Sequence, residues 1–300
     1  MTHRKKVTYA ERDAPLCRGR KMQEDKMPEL AEVEMIRRVL EPQLGGRTVT
    51  KLLVVRPEVV AHPQTEQFAE NVCGAVIERL CRRGKYLQII FQNGSRAVVH
   101  LRMTGQLLVL PADSPPEKYT QLVLSLDDGR ELRFLDMRRF GRWWFLQKDE
   151  PDTFTGMQTL GPEPSDERLT AGYLREKAGA SRKAIKDWLL CQQYVAGIGN
   201  IYSDEILFAA GIYPGRGACS LTEKEWERLA EEIPRTMQFF VEKNEISAED
   251  YLKSKGRDYR NTPYLQVYGH KGAPCPKCGA PLAGSRIAGR SSVYCLQCQK

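Results

Sequence analysis

Lys85-Tyr-Leu-Gln-Ile-Ile-Phe-Gln-Asn-Gly-Ser-Arg-Ala-Val-Val-His-Leu101 reads as two β-runs, 85–91 and 96–101, on either side of an Asn93-Gly94 turn. Branched and aromatic residues suit a pleated surface, and Asn-Gly supplies the positive φ angles of a tight hairpin. Similar short runs lie at 48–55, 75–82, 106–110, 121–126, 131–135 and 142–146, with Asp128-Gly129 as a second turn signal. About eight short strands predict a two-layer β-sandwich rather than a parallel sheet. A helix precedes them, because Val33, Ile36, Leu40 and Leu44 share one face and Gly45-Gly46 ends it.

Past the sandwich the pattern changes. Leu160-Gly-Pro-Glu-Pro-Ser165 marks a boundary, and helices are predicted over 166–178, 181–191, 200–210 and 222–243, the last bent near Pro234. A chain of 300 residues is long enough for two packed domains. The fold class expected is therefore α+β and multi-domain. Between the second and third helices lies Val195-Ala-Gly-Ile-Gly-Asn200. Its glycines permit a tight turn, Asn200 can cap the next helix, and amides gathered at a helix start can seat a phosphate. A plain interhelical turn fits the same residues.

Four of the nine cysteines form Cys275-x2-Cys278-x16-Cys295-x2-Cys298. Two CxxC knuckles at this spacing match a four-thiolate zinc ribbon, with one structural Zn2+ and no open coordination position for water. Gly279 follows the first knuckle, where the turn calls for positive φ. Cys17, Cys73, Cys81, Cys191 and Cys219 are scattered, so a disulfide framework is not expected. The chain carries 46 basic and 38 acidic side chains, a net charge of +8. From Lys253 to Lys300 there are nine Lys/Arg and one acid, Asp258, so the whole excess sits in this stretch. A local basic field threaded with Tyr and Gly suits a phosphate backbone better than a merely solvated tail. No apolar run approaches the ~18 residues of a membrane span, and the N-terminus lacks an apolar segment that would make it a secretory signal.

Met27-Pro-Glu-Leu-Ala-Glu-Val-Glu34, Arg83-Gly-Lys-Tyr-Leu87, His100-Leu-Arg-Met-Thr-Gly105, Asp136-Met-Arg-Arg-Phe-Gly141, Gly197-Ile-Gly-Asn-Ile-Tyr202, Val267-Tyr-Gly-His270 and the terminal ribbon occur in that order. Together they resemble the formamidopyrimidine-DNA glycosylase family over essentially all of the chain from Met27 to Lys300. The resemblance implies a catalytic β-sandwich over 27–150, a linker over 151–165, a helix-two-turn-helix domain over 166–250, a lesion-side loop over 251–269 and a zinc finger over 270–300. It implies a monomeric, cytoplasmic bacterial repair enzyme acting on double-stranded DNA that carries oxidised bases, with no membrane association. Removal of oxidised purines would be followed by cleavage of the strand.

The site residues implied are specific. Pro28 would be the nucleophile, because a free α-amine near pKa 8 is partly neutral at physiological pH. Glu29 would be the proton donor. Lys85 would hold a phosphate and assist β-elimination, Arg290 would grip phosphates and assist δ-elimination, and His100 and Asn200 would share the phosphate grip. Met103 and Phe140 would fill the gap left by the extruded base, as apolar wedges do elsewhere. Arg138 would read the orphaned cytosine through two hydrogen bonds. Without the resemblance, Pro28 reads as a first-turn helix proline, Lys85 as an exposed hairpin lysine, and Met103 and Phe140 as core.

The chain departs from the family pattern at Ala31, Cys191 and Ser292, where the family usually carries proline, an acid and threonine; none of these changes removes a catalytic group. Residues 1–26, with eight Lys/Arg and four acids, read as a disordered extension or a mis-annotated start. An amide nitrogen is not a nucleophile, so the working chain is expected to begin at Pro28 after loss of Met27. Gln23-Glu24-Asp25 can be encoded as CAG GAG GAC, which contains a ribosome-binding AGGAGG. Two alternatives remain open: an endonuclease VIII-like preference for oxidised pyrimidines, and a non-catalytic damaged-DNA-binding protein if residues 1–26 persist.

Overall fold

The computed structural model describes residues 27–300, so the reading of residues 1–26 lies outside the described residues. In chain order the principal elements are α1 (Leu30–Leu44), β1 (Val49–Val54), β2 (Val60–His62), α2 (Thr65–Val72), β3 (Ile77–Arg83), β4 (Tyr86–Phe91), β5 (Arg96–His100), β6 (Gly105–Pro111), β7 (Thr120–Leu126), β8 (Arg130–Asp136) and β9 (Arg142–Leu146). There follow α3 (Ala171–Ala178), α4 (Ile185–Leu189), α5 (Asn200–Ala210), α6 (Glu223–Lys243), α7 (Ala248–Lys253), β10 (Ala283–Ile287) and β11 (Arg290–Tyr294). Two compact units result: residues 27–159 with 244–259, and residues 160–243 with 260–300.

The first unit is the sandwich. A four-stranded sheet of order β1-β7-β8-β6 belongs to it, together with a five-stranded sheet of order β2-β9-β5-β4-β3. Period-two alternation explains the β4 part of the core, where Leu87, Ile89 and Phe91 are buried. Strand β8 is buried continuously from Leu132 and adds Leu132, Phe134 and Leu135, along with Val33, Ile36 and Leu40 of α1. Phe134 and Phe68 meet Trp143 edge-on at 5.8 and 6.4 Å. The five-stranded sheet is covered on its other face too, where Val98, Trp144 and Leu146 pack with Tyr86 and Met157. Both turn signals fall between consecutive antiparallel strands, with Gly94 at φ 84° and Gly129 at φ 80°.

All eight predicted strands are present; β2, α2 and α7 were not foreseen. In α2 only Phe68 and Val72 are buried, and in α7 only Tyr251, too little periodicity to read. Tyr251 nevertheless carries its segment into the first unit, because it packs in the sandwich core and donates a hydrogen bond to Leu107 O at 2.9 Å. Residues 244–259 therefore belong with the sandwich, across the 250/251 boundary expected from the sequence.

In the second unit the helices predicted over 166–178 and 181–191 are shorter. Asp166–Leu169 forms a turn instead, and Thr170 caps α3 by accepting the Tyr173 N–H at 3.1 Å. Ala184 bridges to Gly217 and delays α4 to Ile185. Pro234 lies inside α6. The ribbon hairpin pairs Ala283 with Tyr294 through Ile287 with Arg290, turned by Ala288 and Gly289, both at positive φ. Among the described residues no helix is long and apolar enough to cross a membrane.

Candidate functional site

Helix α1 presents the first group of site residues. Glu29, in extended conformation, is its N-cap and forms a capping box with Glu32: the Glu29 N–H donates to Glu32 Oε2 at 2.9 Å. Pro28 is buried one residue earlier, so it is not the first-turn helix proline that Pro-Glu ordinarily signals. Glu29 is only 2% exposed, and its carboxylate lies where the helix dipole favours negative charge.

One turn further on, Glu34 ties α1 to β3. Burial alone would push its carboxyl up, but hydrogen bonds from Arg37 and Arg38 and the charge of Arg82 hold it below the usual carboxylate range. Arg82 reaches Glu34 Oε2 at 3.2 Å and donates to Gly84 O at 3.1 Å. Gly84, at φ 55°, makes the tight turn that presents Lys85. Lys85 is 6% exposed, which excludes the reading as a solvent-facing hairpin lysine. Arg82 thus ties the element that carries Pro28 and Glu29 to the turn that carries Lys85, and the Leu80 N–H adds a second link to Glu41 Oε1 at 3.3 Å.

His100 ends β5 opposite Tyr86, whose ring it meets edge-on at 4.6 Å. Burial first, then the positive charges of Arg102 and Lys85, push its pKa down to about 3. The imidazole is neutral near pH 7, and its Nδ1 accepts the Arg102 N–H at 3.1 Å. The ring proton therefore sits on Nε2, as a neutral donor.

Met103 and Phe140 lie in the loops after β5 and β8. Neither is in the core; Phe140 is 50% exposed and Met103 half-buried. The exposed Arg138 guanidinium lies 5.0 Å over the Phe140 ring. Each loop is pinned by a glycine that no larger residue could replace. A Cβ on Gly105 would come within 2.4 Å of Leu101 O, and one on Gly141 within 2.5 Å of the Phe134 ring.

The second unit holds the remaining candidates. Gly197 is at φ 87° and its N–H donates to Gln192 Oε1 at 2.8 Å, shaping the turn before α5. The expected cap is corrected here: Gly199 is the N-cap and Asn200 is the first helical residue, because a residue already in helical conformation cannot fold its side chain back over the amides that follow. Asn200 Oδ1 is buried with no hydrogen-bond partner. That end of a side-chain amide, at the start of α5, is a place for an added polar group.

Sequence reading missed three buried polar residues of this unit. Lys186 and Asp204 are completely buried and paired at 2.8 Å. Asp204 also accepts from Ser292 Oγ at 2.6 Å and the Val293 N–H at 3.0 Å, while Lys186 donates to Ser291 O at 2.8 Å. The pair thereby grips β11, the strand that begins with Arg290. The exposed Arg290 guanidinium stands 3.9 Å from Asp187. Glu205 accepts the N–H groups of Gln266, Val267 and Tyr268, each at 2.9 Å, and so shapes the Val267-Tyr-Gly-His270 motif. Burial pushes Glu205 up to about 7 against those three bonds. Two adjacent acids inside the apolar run Ile201–Ala210 were the available signal.

The four ribbon cysteines bring their sulfurs within 4.8 Å of one another, with Cys275–Cys298 at 3.9 Å and Cys278–Cys295 at 3.5 Å. A tetrahedron of Zn–S bonds near 2.3 Å has S···S edges of about 3.8 Å, so the cluster fits one zinc ion. Gly279 is at φ 79°, as the knuckle turn requires.

Comparison with known proteins agrees with this geometry along the whole described chain. Family models match residues 27–143 (formamidopyrimidine-DNA glycosylase N-terminal domain), 160–251 (formamidopyrimidine-DNA glycosylase H2TH domain) and 272–300 (zinc finger found in FPG and IleRS). The formamidopyrimidine-DNA glycosylase of Moorella thermoacetica is 44% identical over 256 residues, 85% of this chain and 93% of its own length. That of Pelotomaculum thermopropionicum is 40% identical over 274 residues, 91% of this chain and 99% of its own. The Lactococcus lactis Fpg in complex with FAPY-dG-containing DNA superposes with a TM-score of 0.83 at 34% identity, covering 91% of this chain and 100% of that one. A complex of the same L. lactis protein with DNA containing an oxidised pyrimidine superposes equally well.

Proposed function

The chain belongs to the formamidopyrimidine-DNA glycosylase family of zinc-finger DNA glycosylases with abasic-site lyase activity, and on that premise we propose that it excises oxidised purines, 8-oxoguanine and formamidopyrimidines, from duplex DNA by proline chemistry. The Pro28 nitrogen attacks C1′, the bond from C1′ to the base breaks, and the base departs with that electron pair and a proton. Glu29 delivers a proton to O4′ as the sugar ring opens, leaving a C1′ iminium. The iminium acidifies C2′; loss of that proton expels the 3′ phosphate, and a second elimination expels the 5′ phosphate. Lys85 and Arg290 serve these two steps by protonating or holding the departing phosphates, and His100 Nε2–H and Asn200 add to the phosphate grip. Met103 and Phe140 fill the vacated stack and Arg138 pairs with the orphaned cytosine. The protein works as a monomer on chromosomal DNA in the cytoplasm.

The reading rests on one observation: a buried Pro28-Glu29 pair at the start of α1, joined through Glu34 and Arg82 to the turn that presents Lys85. It requires a free nitrogen on Pro28, and so a working chain without Met27 and the residues before it. A second reading, action on oxidised pyrimidines, draws support from the L. lactis relative crystallised with such DNA. Cleavage of duplexes bearing 8-oxoguanine opposite C or thymine glycol opposite A, by protein beginning at Pro28, separates the two. Faster cleavage of the first supports the purine assignment; cleavage of thymine glycol alone reverses it.

A further inference from the structure

The two loops that carry Met103 and Arg138–Phe140 leave different strands, yet one buried carboxylate binds both. Asp136, 1% exposed at the end of β8, accepts the Thr104 hydroxyl and the Arg138 N–H (3.2 Å) on Oδ1, and the Gly141 N–H (2.7 Å) on Oδ2. Thr104 Oγ1 in turn accepts the Arg138 N–H at 3.0 Å. The Arg138 amide is therefore shared between a side chain of its own loop and one of the other loop. Both loops hold a non-glycine residue in left-handed backbone, Arg102 at φ 56° and Arg139 at φ 59°. Such residues persist only where their surroundings hold them. The Gly141 close approach belongs to the same arrangement, since a Cβ there would lie 3.1 Å from Asp136 Oδ2.

We infer that Thr104 and Asp136 are positioning residues for opposite-base recognition. They tie the Met103 loop and the Arg138 loop into one rigid reader, so that the wedge cannot enter the stack without setting Arg138 against the orphaned base. This inference rests on the DNA-reading role proposed above for Arg138. The chemistry favours the shared hydroxyl over chance contact, because the single Oγ1 atom of Thr104 donates to Asp136 and accepts from Arg138 at once, which an aliphatic side chain of the same shape cannot do.

The test is equilibrium binding of the chain beginning at Pro28 to duplexes carrying a tetrahydrofuran abasic analogue opposite C or A, which needs no covalent chemistry. Thr104→Val removes the shared hydroxyl at nearly constant shape. The preference for C over A is expected to fall by about tenfold, the weight of one well-made hydrogen bond. Thr104→Ser, which keeps the hydroxyl, is expected to retain the preference. Asp136→Asn puts an N–H2 group against backbone N–H donors, and is expected to lose it with or without a change in melting temperature. A Thr104→Val chain with the parent preference overturns the inference, as do Val and Ser variants that lose it equally. A parent chain with no C-over-A preference overturns it together with the role of Arg138. Preference for C in a chain that gives no borohydride adduct supports the inference while refuting the proline chemistry.

Discussion

Replacing His100 with Asn turns the buried imidazole into a quantitative probe of the end of β5. The Asn Oδ1 can take the place of Nδ1 and accept the Arg102 N–H, but it cannot ionise. In the folded chain, burial and the charges of Arg102 and Lys85 depress the His100 pKa from 6.5 to about 3. Because the folded value is the lower one, the stability this group contributes is complete above pH 6.5. It is lost as pH falls from 6.5 toward 3, while the unfolded chain takes up a proton that the folded chain refuses. With those two values the loss is close to zero at pH 7.5 and about 1.4 kcal/mol at pH 5.5. Urea unfolding of parent and His100→Asn chains at both pH values isolates the effect. The cavity left by the smaller side chain costs the same at each pH and cancels in the double difference. The variant's relative stability should improve by about 1.4 kcal/mol on acidification. A double difference below about 0.3 kcal/mol would mean that the imidazole is solvated or already charged, and the neutral Nε2 donor assigned to it would go with it.

Three further outcomes follow from the second unit. Lys186→Met leaves the Asp204 carboxylate buried without its cation and should cost about 3–5 kcal/mol by urea unfolding; a loss under 1 kcal/mol would show that the pair is hydrated. Removing zinc with a chelator should abolish hydrogen-exchange protection over residues 272–300 while β4, β5 and β8 keep theirs, since the ribbon core is little more than Phe208, Val267, Leu282, Val293 and its own cysteines. Protection retained throughout the ribbon would show a hairpin that stands without metal. Glu205→Gln exchanges one acceptor oxygen for an N–H2 group facing backbone donors, and should raise exchange at Gln266, Val267 and Tyr268 by at least about tenfold. Unchanged exchange there would remove its role in shaping the motif.

What could be read from the residues was local. The β4–β5 hairpin announces itself through the spacing of Leu87, Ile89 and Phe91 and the Asn93-Gly94 turn, and the ribbon through cysteine spacing alone. Helix α2 hides because two buried residues in eight set no period, and the segment 244–259 joins the sandwich through Tyr251, whose acceptor lies 144 residues away. The same distance concealed the supporting polar groups. Asp136 sits inside a motif noted for Arg138 and Phe140, but its work becomes visible only when Thr104 arrives from another loop. Asp204 stands out as an acid in an apolar run, but its partners Lys186 and Ser292, 18 and 88 residues away, show themselves only when the fold buries them together. Asn200 is where a cap would be read, and the backbone placed Gly199 there instead.

Borohydride trapping on an abasic duplex, with two proteins in parallel, tests the nucleophile directly. One protein begins at Pro28 and the other retains all 300 residues, each verified intact by mass spectrometry before and after the reaction. The account predicts a covalent adduct with the first alone, mapping by peptide sequencing to the Pro28 nitrogen. An adduct of equal yield on the intact longer chain, or one that maps to Lys85 or another lysine, would contradict it.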